Sequence, residues 1–95
     1  MPTWERTARF DRDWQALGPE DRERFRKAAR HFVEDLRRDR FRAGLRMKRV
    51  RGTDDLFEMT WAPDGRATFQ YGPGSGTGAH VIWRRVGRHD IQRRP

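Results

Sequence analysis

Apolar residues recur at positions 25, 28, 29, 32, 33 and 36, and this spacing constrains the chain more than any other feature. Phe25, Ala28, Ala29, Phe32, Val33 and Leu36 follow the i, i+3, i+4, i+7, i+8, i+11 series of a helix with one buried stripe. Gly18-Pro19-Glu20-Asp21 supplies its start. Proline suits the first helical position, where no amide hydrogen is needed, and acids in the first turn complement the helix dipole. The opposite face carries Arg22, Arg26, Lys27, Arg30, Arg37 and Arg38, interleaved with Glu23, Glu34 and Asp35, and reads as a solvated surface. Such a stripe needs a partner to cover, and the remaining sequence offers a sheet.

Before the helix, Trp4 to Phe10 alternates, with Trp4, Arg6, Ala8 and Phe10 on one side, which suits a short first strand. Asp11 to Leu17 then reads as one or two helical turns. Gly44 ends the helical pattern and the period changes to two. Leu45 and Met47 share one face of the run to Val50, with Arg46 and Lys48 on the other. Phe57, Met59 and Trp61 likewise oppose Glu58 and Thr60. Pro63-Asp64-Gly65 is a turn signal. Ala67, Phe69 and Tyr71 then oppose Arg66, Thr68 and Gln70, and Val81 to Val86 is the last strand. The order predicts an α+β fold, β-α-α-β-β-β, with two N-terminal helices on one face of a small, largely antiparallel four-stranded sheet. The 95 residues form one domain, 1–95, with a modest core and room for a site only on a surface or in a shallow groove.

Twenty-two lysines and arginines against 14 acids give a net charge of +8, and all 22 but Lys27 and Lys48 are arginine. Arginine binds phosphate in a bidentate manner and stacks on bases, so the balance favours nucleic acid or an acidic protein partner. No segment is both strongly amphipathic and free of acids, so no membrane partner is expected. There is no cysteine, hence no disulfide framework and no thiolate metal site. His31, His80 and His89 lack the spacing of a metal site, so no metal and no cofactor are expected. The start of the sequence has no apolar signal core, and no window approaches the roughly 18 apolar residues of a membrane span. The expectation is a soluble, cytoplasmic protein. The glycines of Gly72-Pro73-Gly74-Ser75-Gly76-Thr77-Gly78 lack the Gly-Lys-Ser/Thr and following helix of a phosphate loop, and read as a hairpin tip. Trp4, Trp14, Trp61 and Trp83 read as core or helix–sheet contacts.

Alternation has a consequence for chemistry. If the apolar sides of the strands face the helices, Lys48, Glu58 and Arg66 project together on the opposite, open side. Cleaving RNA through its own 2′-hydroxyl needs a base for that proton, a cation for the charge building on the phosphoryl oxygens, and an acid for the leaving oxygen. Glu58 or His89 suits the proton transfers, and Lys48 or Arg66 suits the phosphate. Arg85, Arg88 and His89 cluster where the last strand leaves the sheet. The plainer reading is that Glu58 pairs with a neighbouring cation across the sheet and His89 is a surface histidine.

Leu45-Arg46-Met47-Lys48, Gly52, Phe57-Glu58-Met59-Thr60-Trp61-Ala62, Asp64-Gly65-Arg66, Val81-Ile82-Trp83 and Gly87-Arg88-His89 together resemble the RelE/ParE toxin superfamily of type II toxin–antitoxin systems, closer to its RelE/YoeB-like branch. The resemblance spans nearly the whole chain. It implies a ribosome-dependent mRNA endonuclease that cuts in the ribosomal A site without metal, and an acidic antitoxin as partner. Arg66 matches a phosphate-binding arginine after the hairpin turn, Glu58 the general-base glutamate of YoeB-like members, and Lys48 and Arg46 the strand bearing family cations. Arg88 and His89 match the terminal motif. The resemblance therefore implies Glu58, Arg66, His89 and Lys48 as catalytic, and Arg46, Arg85 and Arg88 as RNA-binding. Many ribonuclease members carry a tyrosine near the C-terminus; here Asp90 and Ile91 follow His89, so His89 stands in for it. The ParE-like branch implies a DNA gyrase inhibitor instead, and a non-catalytic RNA-binding homologue is the remaining alternative.

Overall fold

The structure, a computed structural model, describes residues 3–53, 55–72 and 80–95. Its elements are β1 (Thr3–Arg6), α1 (Ala8–Ala16), α2 (Pro19–Arg37), a 3-10 turn (Ala43–Leu45), β2 (Lys48–Arg49), β3 (Leu56–Ala62), β4 (Gly65–Gly72), β5 (His80–Arg88) and a second 3-10 turn (His89–Arg93). Residues 73–79, which hold most of the expected hairpin tip, lie outside the described residues.

The α+β class is as expected, but the sheet has five strands, not four, in the order β1-β5-β4-β3-β2. β1 is the fifth. It runs parallel to β5, with Thr3 opposite His80 and Arg6 opposite Trp83, while all other neighbours are antiparallel. The two helices carry the chain from β1 to the far edge, and the meander from β2 to β5 then returns it to β1's side. β1 is also shorter than the alternation suggested. Thr7 is extended, and its Oγ1 accepts the amide hydrogen of Phe10 at 3.1 Å, an N-cap that starts α1 at Ala8. Phe10 therefore reaches the core from a helix. The run from Leu45 to Val50 shrinks similarly. Leu45 is buried within a 3-10 turn and Arg46 takes a left-handed backbone (φ 46°), so only Lys48 and Arg49 pair with β3.

The stripe on α2 packs as its spacing requires. Phe25, Ala28 and Phe32 are buried, and Ala29, Val33 and Leu36 pack against them. Phe32 meets Phe69 at 5.0 Å and Trp83 at 5.4 Å, both edge to face, which ties the helix to the centre of the sheet. Trp61 and Trp83 are core and Trp14 is half-buried, but Trp4, on the edge strand, is 59% exposed. Asp35 departs from the solvated face expected of it. It is buried and receives Arg42 through the backbone amide (2.9 Å), Nε (2.8 Å) and Nη2 (2.8 Å). These hydrogen bonds hold its carboxyl down at about 2. The pair fixes the path of the chain out of α2.

The β3–β4 hairpin turns within Pro63-Asp64, and Gly65 is required there by close approach. A Cβ at Gly65 would lie 2.5 Å from the Trp61 ring, whose Nε1 donates to Arg66 O at 3.0 Å. A bulge follows in the β4–β5 pairing, where Thr68 faces Arg85 and Phe69 faces Trp83, leaving Arg84 as the extra residue.

Candidate functional site

Pairing brings the expected residues together on the face of the sheet away from α2. Lys48 is directly opposite Glu58, Glu58 is opposite Thr68, and Arg66 is opposite Thr60, diagonal to Glu58. Oε1 of Glu58 lies 3.5 Å from Lys48 Nζ and 3.7 Å from Arg66 Nε. Lys48 is largely exposed, whereas Arg66 is mostly covered. The Arg66 guanidinium is braced by the hairpin, its Nη1 donating to the carbonyls of Gly65 (2.9 Å), Pro63 (3.3 Å) and Ala62 (3.4 Å).

The face is not open over Glu58, contrary to the sequence expectation. Glu58 is only 2% exposed. The C-terminal turn lies over it. Gln92 Nε2 donates to Oε1 and Oε2, both at 3.0 Å, and Thr68 Oγ1 donates to Pro95 O at 3.1 Å. Ile91 is buried and holds this turn against the sheet. A carboxylate out of water is tolerated only when its oxygens are matched by donors and cations, and here Gln92, Lys48 and Arg66 provide them. Gln92 and Thr68 had no signal in the sequence: a lone polar residue in a basic tail does not reveal that it meets a carboxylate, nor a threonine in a strand that it bonds the C-terminal turn.

The other candidates lie outside this cluster. Arg85 is forked onto Asp13 of α1, with Nε–Oδ2 and Nη2–Oδ1 both at 2.9 Å, and its Nη1 donates to Arg94 O at 3.2 Å. Asp13 raises the pKa of Arg85 further, so this arginine joins α1 to β5. Arg88 Nη2 donates to Asp21 at the start of α2, at 2.8 Å. His89 is exposed and hydrogen-bonds Asp64 of the hairpin turn, which holds the Asp64 carboxyl below its ordinary range. No hydrogen bond or ion pair joins His89 to Glu58, Lys48 or Arg66 among the described residues. Arg46 is exposed, on the turn before β2 and not on a strand. The bulge sends Arg84 Nη1 to Gln70 Oε1 at 2.8 Å, while Arg84 Nε is buried without a partner among the described residues.

The cluster can accept a proton at Glu58 and hold an anionic oxygen at Lys48 and Arg66. Among the described residues there is no group of three or more His, Asp or Glu side chains suited to a metal ion, and no helix long and apolar enough to cross a membrane.

No protein-family profile matches the sequence, and no curated protein sequence matches it. Solved structures do match, over nearly the whole chain. A chain of the RelB–RelE antitoxin–toxin complex from Methanococcus jannaschii superposes with a TM-score of 0.62 at 15% identity, covering 95% of this chain and 98% of that one. A chain of the Escherichia coli DinJ–YafQ complex gives 0.67 at 12% identity, covering 96% and 97%. The YoeB/ParE toxin from Agrobacterium tumefaciens gives 0.66 at 14% identity, covering 92% and 98%. The chain has the fold of the RelE/ParE-like toxins.

Proposed function

We propose that this protein is the toxin of a type II toxin–antitoxin pair, and that it inhibits translation by cutting mRNA in the ribosomal A site without a metal ion. The observation that carries the reading is the shared oxygen of Glu58, flanked by Lys48 and Arg66 on one face of a toxin-like sheet. Glu58 takes the proton of the 2′-hydroxyl as that oxygen bonds to phosphorus. The bond from phosphorus to the 5′-oxygen breaks, and His89, held by Asp64 of the β3–β4 turn, protonates that oxygen. Lys48 and Arg66 steady the phosphoryl oxygens. Gln92 must leave Glu58 for substrate to reach it. The net charge of +8 suits both RNA and an acidic antitoxin.

A second reading, a ParE-like gyrase inhibitor or a non-catalytic RNA binder, draws on one observation: both oxygens of Glu58 are already occupied by Gln92. Expression in a bacterial host separates the two. The nuclease reading expects growth arrest with cleaved mRNA, relieved by Glu58→Gln and by Arg66→Ala. Arrest with intact mRNA and an SOS response would identify gyrase as the target. RNA binding without arrest would leave only a binder.

A further inference from the structure

A second cationic feature lies where the β3–β4 hairpin meets α2. One edge of α2, the segment from Arg42 to Arg46, and the hairpin residues Thr60 to Pro63 enclose a groove of about 720 Å³. Arg24, Lys27, Arg42, Arg46 and Arg66 line it together with His31, and among the described residues no aspartate or glutamate does. The absence of acids is unusual for α2, where Arg24, Arg26 and Arg30 are each matched to Glu20, Asp21 or Glu23 within 4.0 Å. Arg42 is neutralised by Asp35 and Glu34. Lys27 and Arg46 are exposed and have no ion-pair partner among the described residues. Arg46 is carried there by a left-handed backbone, which a non-glycine residue adopts only when the surroundings hold it.

Three features of the groove select its ligand. Arg24, Lys27 and His31 recur at i, i+3 and i+7, so they form a row of roughly 10 Å along the helix, which suits a chain of successive phosphates more than a single anion. The floor is Ala28, Leu45 and Trp61, all buried, so among the described residues the floor offers no exposed ring for base stacking and no apolar anchor for an amphipathic helix. Arg66 belongs both to this groove and to the Glu58 cluster, so the two surfaces are continuous.

We propose that this groove is a sequence-independent binding track for the phosphodiester backbone of single-stranded RNA. The RNA rounds the hairpin at Arg66 and passes along α2, with Lys27 and Arg46 as its main phosphate contacts. The proposal rests on the preceding section only for RNA as the ligand, and it does not require that Glu58 cut anything.

The test is fluorescence anisotropy of a labelled single-stranded RNA titrated with the full-length protein over a range of salt. All proteins carry Glu58→Gln, so the probe survives whether or not the wild type cleaves it. Lys27→Gln/Arg46→Asn removes two charges, and asparagine tolerates the left-handed backbone of Arg46. The expected result is binding weakened several-fold and a plot of log affinity against log salt shallower by about 1.4. Arg12→Gln/Arg51→Gln, matched in net charge and outside the groove, is expected to keep the original slope. An unchanged slope for the groove variant, or an equal change in both variants, overturns the proposal. So does an acidic peptide that loses affinity for the groove variant while RNA does not. Circular dichroism confirms that each variant is folded, and single Lys27→Gln, on the exposed side of a helix, provides a second reading with half the slope change.

Discussion

The side-chain amide of Gln92 lies 3.0 Å from both carboxylate oxygens of Glu58, so the C-terminal turn closes directly on the carboxylate that the sheet presents to Lys48 and Arg66. Gln92→Ala is expected to lower stability by about 1–2 kcal/mol, because a buried anion loses a donor. Urea unfolding measures that. On the proposed mechanism the same change raises the rate of RNA cleavage per molecule, because Glu58 then meets substrate without first shedding Gln92. A fall in rate with the fold intact would mean that Gln92 positions Glu58 and does not merely cover it.

Gly65→Ala is expected to destabilise the hairpin. Its Cβ would sit 2.5 Å from the Trp61 ring, which is itself packed in the core, so the ring or the backbone has to move. Overpacking of this kind costs about 1–3 kcal/mol, and in a domain this size each kcal/mol lowers the Tm by about 4–8 °C. Thermal denaturation followed by circular dichroism gives the shift. The displaced hairpin also carries Arg66, so activity is expected to fall with stability.

Asp35 gives the fold an acid-sensitive lock. Arg42 holds its carboxyl at about 2, below the ordinary 3.8. A carboxyl whose folded pKa is depressed adds stability that is complete above its ordinary value and disappears as the pH falls towards the folded value. Between pH 5 and pH 2, the urea midpoint of the wild type is therefore expected to drop more than that of Asp35→Asn. At pH 7 the variant is expected to be the less stable of the two. Parallel curves across that range would show that the Asp35–Arg42 pair does not carry the linkage.

What was legible in the sequence follows from which patterns are local. The Phe25-to-Leu36 stripe and the alternation of β3 and β4 each report one element, and the faces they imply put Lys48, Glu58 and Arg66 together as observed. Features made by distant segments were not legible. The parallel pairing of β1 with β5 depends on how two helices cross over, and no local pattern reports it. Thr7 fits an alternating strand by pattern, but its hydroxyl caps α1. The roof over Glu58 depends on Gln92, 34 residues away, folding back across the sheet. The extra residue at Arg84 displaces Arg85 from simple alternation, and Arg85 ends on Asp13, an ion pair across 72 residues that no spacing announces.

The central claim is that Glu58, Lys48 and Arg66 form a ribonuclease site on a toxin fold, and cutting of translating mRNA tests it most directly. Purified wild-type protein, Glu58→Gln and Arg66→Ala are each added to a reconstituted translation reaction containing a chelator, and primer extension maps breaks in the mRNA over time. The account expects discrete cuts with the wild type, and rates lower by about 10²-fold or more in each variant, the range for losing a base or a transition-state donor. Intact mRNA with folded wild-type protein, or variants that cut as fast as wild type, would contradict it.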